Sequence, residues 1–165
     1  VYDLENSEIL ASAQKEWDIF FKKIKPEYKV ILITLQKESI PYNLWRFINK
    51  NKNIYVFFIR LHPDIQWDSI SLGLKNLEKY CNNVFIKSPS EMPIPLIMKN
   101  SDVNITSWSA SVYEADFYNK PNIIISEIGR DYFENLLDEN LYFYAHDIKK
   151  LNKILNDIFK HKSGF

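Results

Sequence analysis

Short runs of consecutive apolar residues, many of them β-branched, recur along the chain and predict the strands of a buried sheet. The two clearest are KVILITL at residues 29–35 and IYVFFIRL at residues 54–61. Neither run alternates apolar with polar residues, as is typical of strands covered on both faces. Shorter runs predict four further strands, at residues 84–86, 103–105, 122–125 and 141–144.

Segments with apolar residues at three- and four-residue spacing lie between these runs and predict amphipathic helices. In the first, residues 5–24, the apolar stripe includes Leu10, Trp17 and Phe21, and Pro26 follows as a terminator. Other helices are predicted at 42–51, 69–80, from 93 to about 100, after 111, at 131–137 and at 147–160.

Strands and helices therefore alternate along the whole chain. This order predicts an α/β fold, a single Rossmann-like domain in which a parallel sheet of about six strands has helices on both faces. We expect residues 1–28 to form an N-terminal helix or connection and residues 29–165 to form the Rossmann-like domain.

Polar segments follow the predicted strands. They are residues 36–39, 62–64, 87–91, 107–111 and 126–127. Because the carboxyl ends of parallel strands meet at one edge of the sheet, these segments should share one rim. Ligands of open α/β sheets bind at that edge, so we expect the site there.

The segment with the most candidate ligand-binding groups is TSWSASVYEA at residues 106–115. It is predicted to contain the end of a strand, a turn of small residues and the start of a helix. Ser107, Ser109 and Ser111 supply hydroxyl donors, and the helix start supplies free N–H groups, so the segment suits a phosphate or diphosphate. The alternative is a serine that only caps the helix.

Glu114 follows Ser111 by three residues, so the pair also matches a capping box. The functional alternative places the Glu114 carboxylate on the hydroxyls of a ribose, since a carboxylate accepts hydrogen bonds from both hydroxyls of a diol. Both interpretations stay open at the level of sequence.

His62 follows the second predicted strand and precedes Pro63, which restricts the local backbone. A histidine can donate a charge-assisted hydrogen bond to a phosphate or a proton to a leaving group, although an ordinary loop histidine is the alternative. Arg60 should point to the same face as His62, as a second phosphate partner or as the partner of a salt bridge to a neighbouring helix.

The segment at residues 87–91 is predicted to be a polar loop that could read a nucleotide base through main-chain groups. We include Glu91 among the candidate nucleotide-binding residues, with an ordinary connection as the alternative. Trp108 could stack on a ligand ring, but core packing is our expectation for it.

Composition narrows the possible functions. The 165 residues suffice for one domain with a core, and 21 basic and 21 acidic residues give no whole-chain argument for nucleic acid. Cys81 is the single cysteine, which excludes an internal disulfide and a cysteine-based zinc site. No apolar run approaches the roughly 20 residues that span a bilayer.

Several common cofactor and metal motifs are absent from the sequence. There are three glycines, and neither a G-x-x-x-x-G-K-[ST] nor a G-x-G-x-x-G motif occurs. There is no Asp-x-Asp pair, and His62, His146 and His161 lack metal-like spacing. We therefore expect neither a resident cofactor nor a metal.

The order of these pieces resembles the C-terminal, donor-binding half of GT-B glycosyltransferases. The resemblance covers about residues 29–126 and is carried by KVILITL at 29–35, RLHP at 60–63, NVFIK at 83–87, IPLIMKNSDVNIT at 94–106 and SWSASVYEADFYNKPNIIIS at 107–126.

His62-Pro63, together with Ser109 and Ser111, resembles the His-Pro and serine motifs of bacterial sialyltransferases and related capsule or lipopolysaccharide transferases. In those families the two motifs hold the phosphate of a CMP-sugar. The serines are often adjacent there, whereas Ala110 separates them here.

The resemblance implies a CMP- or UDP-linked nucleotide-sugar donor and a bacterial, inverting, metal-independent transferase of surface polysaccharide. His62 would hydrogen-bond or protonate the departing phosphate. The glycan acceptor site and the base would lie in an N-terminal domain outside this chain. A cytoplasmic protein is implied, at the inner face of the membrane through peripheral association.

Other proteins share this half-fold. They include wall-polymer glycerophosphotransferases and the non-hydrolysing UDP-sugar 2-epimerases, whose turn is Ser-Gly-Gly. A non-catalytic Rossmann-like assembly or regulatory module is a further alternative.

Overall fold

The apolar runs of the sequence form one parallel sheet in the computed structural model, which describes residues 7–37, 39–137 and 140–161. The strands are β1 (Lys29–Thr34), β2 (Tyr55–Arg60), β3 (Val84–Phe85), β4 (Val103–Thr106), β5 (Asn122–Ile124) and β6 (Tyr142–Tyr144). The helices are α1 (Ser7–Phe21), α2 (Tyr42–Asn51), α3 (Leu72–Tyr80), α4 (Lys87–Glu91), α5 (Ile94–Lys99), α6 (Ser111–Phe117), α7 (Glu127–Tyr132) and α8 (Ile148–His161).

The order of strands across the sheet is β3-β2-β1-β4-β5-β6. The last residue of β1, Thr34, is opposite Arg60 of β2 on one side and Thr106 of β4 on the other. The chain thus moves outward from β1 in one direction and from β4 in the other. The predicted α/β class is confirmed, and the reversal of strand order creates a crevice at the carboxyl ends of β1 and β4.

The two faces of the sheet bury two separate cores, because successive strand residues point to opposite sides. Ile31 and Ile33 pack in the core that also contains the apolar stripes of α2, α3 and α8. Val30 and Leu32 pack in the core that includes residues of α1 and α5. Burial on both faces explains why β1 and β2 read as continuous apolar runs.

Helix α1 is packed against the sheet through aromatic residues. Phe20 is buried, and its ring centroid lies 5.7 Å from that of Phe58 and 5.1 Å from that of Phe85. Residues 5 and 6 of the predicted helix lie outside the described residues. The boundary at residues 28/29 between connection and domain stays a prediction.

Two segments differ from the sequence expectation, and side-chain capping explains both. The predicted loop at residues 87–91 is helix α4, whose start is capped by Glu78, since Glu78 Oε1 accepts from the backbone N–H of Ile86 at 2.6 Å and of Lys87 at 2.9 Å. The helix predicted at 131–137 begins instead at Glu127, because Ser126 Oγ accepts from the backbone N–H of Gly129 at 3.0 Å.

None of the described helices has the length and apolar character needed to cross a membrane.

Replacing Phe58 with leucine should lower the free energy of unfolding by about 1–2 kcal/mol and loosen α1 selectively. The reason is that Phe58 contacts both Phe20 and Phe21 of that helix. Urea unfolding and amide hydrogen exchange measure the two effects. Phe57→Leu is the matched control, since Phe57 faces the other core. Equal protection of α1 in the two variants would contradict the packing described.

Candidate functional site

A cleft of about 490 Å³ opens at the carboxyl ends of β1, β2 and β4, where the strand order reverses. Its walls come from the end of β1, the segment after β2, the start of α5 and the serine turn with α6. The residues are Thr34, Leu35, Arg60, Leu61, His62, Pro63, Ile94, Ser109, Ala110, Ser111, Tyr113 and Glu114. The His-Pro segment and the serine turn therefore face one common space.

The turn between β4 and α6 is held by hydroxyl groups. The Thr106 hydroxyl accepts from the backbone N–H of Ser109 at 3.1 Å and donates to the Thr34 carbonyl at 3.3 Å. Ser109 Oγ accepts from the backbone N–H of Ser111 at 3.2 Å. The Ser109 hydroxyl thus accepts from the first N–H of α6 although Ala110 is the N-cap, and its own proton can still be donated into the cleft.

Ser111 is the first residue of α6 and is buried. Its hydroxyl lies 2.9 Å from the hydroxyl of Thr34 and accepts from the side-chain amide of Asn104 at 3.3 Å. The predicted capping box between Ser111 and Glu114 does not form, because Ser111 is already helical and its hydroxyl bonds to the sheet.

A pair of buried asparagines in the sheet holds the start of α6. Asn104 of β4 and Asn122 of β5 are opposite each other in register, and Asn104 Nδ2 donates to Asn122 Oδ1 at 2.8 Å. Asn122 Nδ2 in turn donates to the Val112 carbonyl at 3.3 Å. Neither residue was predicted from the sequence as part of the site. The signal was a polar residue inside each of two otherwise apolar strands.

Ser107 does not line the cleft. Its carbonyl accepts from the Ser126 hydroxyl at 2.8 Å, which ties the serine turn to the start of α7. Gly129 packs on the same carbonyl so closely that a Cβ at that position would lie 1.7 Å from the Ser107 oxygen. Gly129 is thus a third supporting residue that was not predicted from the sequence.

Glu114 lies on the first turns of α6 and lines the cleft. Burial raises the pKa of this carboxyl above its ordinary value of 4.5, while its backbone N–H and the charge of Arg60 act in the opposite direction. Its Oε2 atom is buried and has no hydrogen-bond partner among the described residues. The carboxylate is thus placed to accept from a ligand hydroxyl.

His62 stands at the opposite wall, with its side chain 45% exposed. Its Nδ1 accepts from the backbone N–H of Asp64 at 3.3 Å, and Asp64 Oδ2 lies 3.4 Å from the same nitrogen. A neutral imidazole whose Nδ1 accepts carries its proton on Nε2. Nε2 is therefore the nitrogen that can donate to a ligand.

Arg60 is buried beneath the His-Pro segment. Its guanidinium donates to the carbonyls of Pro89, at 2.6 Å, and of Met92, which fixes the α4–α5 connection against the end of β2. Arg60 lines the cleft through part of its surface. Glu91 is exposed and does not line the cleft.

Trp108 is partly exposed and does not belong to the buried core, so the expectation of core packing was wrong. The ammonium group of Lys37 lies 5.8 Å from the centre of its ring. This distance is in the range of a cation–π contact between the segment after β1 and the serine turn.

Among the residues that the structure describes, no group of three His, Cys, Asp or Glu side chains could hold a metal ion.

Comparison with known proteins gives no matching family model. One curated relative is the teichoic acid glycerol-phosphate primase of Bacillus subtilis (strain 168), with 28% identity over 87 residues. The match covers 53% of this chain and 21% of the relative, so the chain spans a small part of that protein's length.

Several solved structures resemble nearly the whole chain, and two of them are a CMP-Kdo binding domain and a UDP-GlcNAc 2-epimerase. The C-terminal CMP-Kdo binding domain of WaaA from Acinetobacter baumannii matches with a TM-score of 0.61 and 15% identity, over 94% of this chain and 89% of that one. The UDP-GlcNAc 2-epimerase from Neisseria meningitidis, bound to UDP-GlcNAc, matches with a TM-score of 0.62 and 17% identity, over 98% of this chain and 43% of that one.

The chain has the fold of a GT-B C-terminal domain. At these identities the structural likeness shows the fold alone, and an epimerase shares it. What the domain binds has to be argued from its own cleft.

Gly129→Ala should disturb the serine turn, because the added methyl group meets the Ser107 carbonyl and Ile124. We expect a loss of about 1–3 kcal/mol in the free energy of unfolding and shifted amide resonances at residues 107–111. Gly73→Ala is the control. The nearest atom to its new Cβ is 3.9 Å away, so this variant should be slightly stabilised. Stability losses of equal size in the two variants would argue against the close contact.

Glu114→Gln should stabilise the protein at neutral pH. Since the folded state raises the pKa of Glu114 above 4.5, the wild type loses stability as pH rises from that value through the folded pKa. The glutamine variant escapes this loss, so its advantage should vanish near pH 4. Chemical unfolding at both pH values tests this. Glu91→Gln, at an exposed position, controls for the loss of one charge.

Proposed function

We propose that the chain is the donor-binding domain of a bacterial glycosyltransferase that takes a nucleotide-activated sugar for surface polysaccharide or lipopolysaccharide synthesis. The observation that carries this proposal is the cleft at the strand reversal. It brings His62, the serine turn and Glu114 around a space of about 490 Å³. Such a volume is within the range of small-molecule sites.

Each group has a role that follows from its chemistry. The Nε2–H of His62 and the hydroxyl of Ser109 donate to the phosphate of the donor. The Glu114 carboxylate, with Oε2 unpartnered among the described residues, accepts from the ribose hydroxyls. The weaker candidates are Ser107 and Glu91, which do not line the cleft, and Arg60, whose guanidinium binds backbone carbonyls.

In the proposed reaction the bond between the anomeric carbon and the phosphate oxygen breaks, and a bond to the acceptor oxygen forms. His62 stabilises or protonates the departing phosphate, as a hydrogen-bond donor aimed at developing charge does. The base that takes the acceptor proton belongs to a part of the enzyme outside this chain. Inversion without a metal is part of the same proposal.

A second candidate is half of a transferase that moves glycerol phosphate from a nucleotide donor to a wall polymer. The similarity to the teichoic acid glycerol-phosphate primase favours it. A CMP-linked sugar and CDP-glycerol share the cytidine 5′-phosphate and differ in the group attached to that phosphate. Competition of a CMP-sugar and CDP-glycerol for the same labelled protein would therefore separate the two candidates.

Titration of CMP, UDP and GDP into isotopically labelled protein is the direct test of a donor site. We expect CMP or UDP to shift the amides of residues 107–114 and of His62. His62→Ala should weaken binding by about tenfold without unfolding the domain, the value of one charge-assisted hydrogen bond at a half-exposed position.

His146→Ala is the matched control, since His146 is an exposed histidine that does not line the cleft. It should bind the nucleotide as the wild type does. Unmoved amides with all three nucleotides at millimolar concentration would remove the donor site. Unchanged affinity of His62→Ala would remove His62 from it.

A further inference from the structure

The end of the sheet opposite the candidate cleft is rich in lysine. Because all strands are parallel, the segments that lead into the strands gather at the amino-terminal end. Three of them, residues 22–29, 50–54 and 79–83, contain seven lysines and one glutamate. The whole chain is neutral, so this end is positive and the remaining residues carry the compensating acidic excess.

These three segments form one continuous surface. A shallow depression is lined by Lys23 and Lys25 from the first, Asn53 from the second, and Asn82 and Asn83 from the third. The side-chain amide of Asn83 also donates to the carbonyl of Lys52 at 3.0 Å. We call this surface the basic end, defined by Lys22, Lys23, Lys25, Lys29, Lys50, Lys52 and Lys79.

Interactions within the fold do not account for all of these lysines. None of the seven forms an ion pair with a described acidic residue. Lysines in the last turn of a helix favour the helix dipole, which explains Lys50 and Lys79. Lys25 and Lys29 belong to no described helix and gain nothing from that effect.

Exposed apolar side chains lie among the lysines. Ile54 is 57% exposed and Tyr80 is 67% exposed. The ammonium group of Lys79 lies 5.1 Å from the centre of the Tyr80 ring. Ammonium groups next to exposed apolar groups form an amphipathic surface that suits the boundary between lipid headgroups and acyl chains.

We propose that the basic end docks on a bilayer containing anionic phospholipids. Lysines are compact charges that interact with lipid phosphates without fixed geometry, and each is worth about a fivefold change in affinity near an anionic surface. Single-stranded nucleic acid would also attract the lysines. That partner is favoured by arginines and stacked aromatic platforms, and the three segments contain no arginine. The proposal does not depend on the identity of the cleft's ligand.

Vesicle flotation at low salt tests the proposal. The protein should float with vesicles of phosphatidylglycerol and phosphatidylcholine and not with phosphatidylcholine alone. The variant Lys23→Gln/Lys25→Gln/Lys79→Gln should bind the mixed vesicles roughly 100-fold more weakly. Ile54→Ser/Tyr80→Ser should bind them about tenfold more weakly and lose the rest of its binding on addition of salt.

Matched controls exist at the opposite end of the sheet. Lys37→Gln/Lys87→Gln/Lys149→Gln changes the charge equally, and Ile128→Ser/Tyr132→Ser removes apolar groups of similar exposure. Both control variants should bind the mixed vesicles as the wild type does, and urea unfolding checks that all variants are folded.

Three outcomes would overturn the proposal. The first is a wild-type protein that does not bind mixed vesicles at low salt. The second is equal weakening by the two triple lysine variants, which would indicate only a net-charge effect. The third is tighter binding to polyuridylate than to vesicles through the same lysines.

Discussion

The hydrogen bond between the side chains of Asn104 and Asn122 is the interaction on which the cleft most depends. Both amides are fully buried in the neighbouring strands β4 and β5, where an unpaired polar group costs about 1–3 kcal/mol. Through their remaining donors they hold the Ser111 hydroxyl and the Val112 carbonyl. The start of α6 is thereby fixed to the sheet by directional bonds as well as by apolar contact. Because Tyr113 and Glu114 lie in the first turns of α6, this attachment also sets their positions in the cleft.

Much of the fold could be predicted from the sequence, because strands buried on both faces appear there as continuous apolar runs and packed helices as periodic apolar stripes. Continuous apolar runs marked β1 and β2, and periodic stripes marked α1, α2 and α8. The rim followed from parallel topology, which is why His62 and the serine turn could be paired before any distance was known. What the sequence concealed were bonds between residues far apart in the chain. Glu78 converts a predicted loop into α4, and the guanidinium of Arg60 holds carbonyls about thirty residues away.

In the candidate site, too, local residue patterns were predictable from the sequence and contacts between distant residues were not. Residue types at the strand ends pointed to His62, Ser109 and Glu114, which do line the cleft. The capping box between Ser111 and Glu114 was a local pattern that does not form, because the Ser111 hydroxyl bonds to Thr34 and Asn104 of the sheet instead. The supporting residues Asn104, Asn122 and Gly129 act through register and close approach, which a sequence alone does not display. Two buried asparagines in apolar strands were the one available hint, since a polar group in such a place needs a partner.

The two edge strands of the sheet are short. The central strands β1 and β2 each have six residues, whereas β3 has two and β6 has three. A long exposed edge invites pairing with the edge of another molecule, because its N–H and C=O groups are unsatisfied along one side. A sheet that narrows toward both sides offers few such groups. Edge-to-edge aggregation of this domain is therefore disfavoured by its outline, independently of its charge.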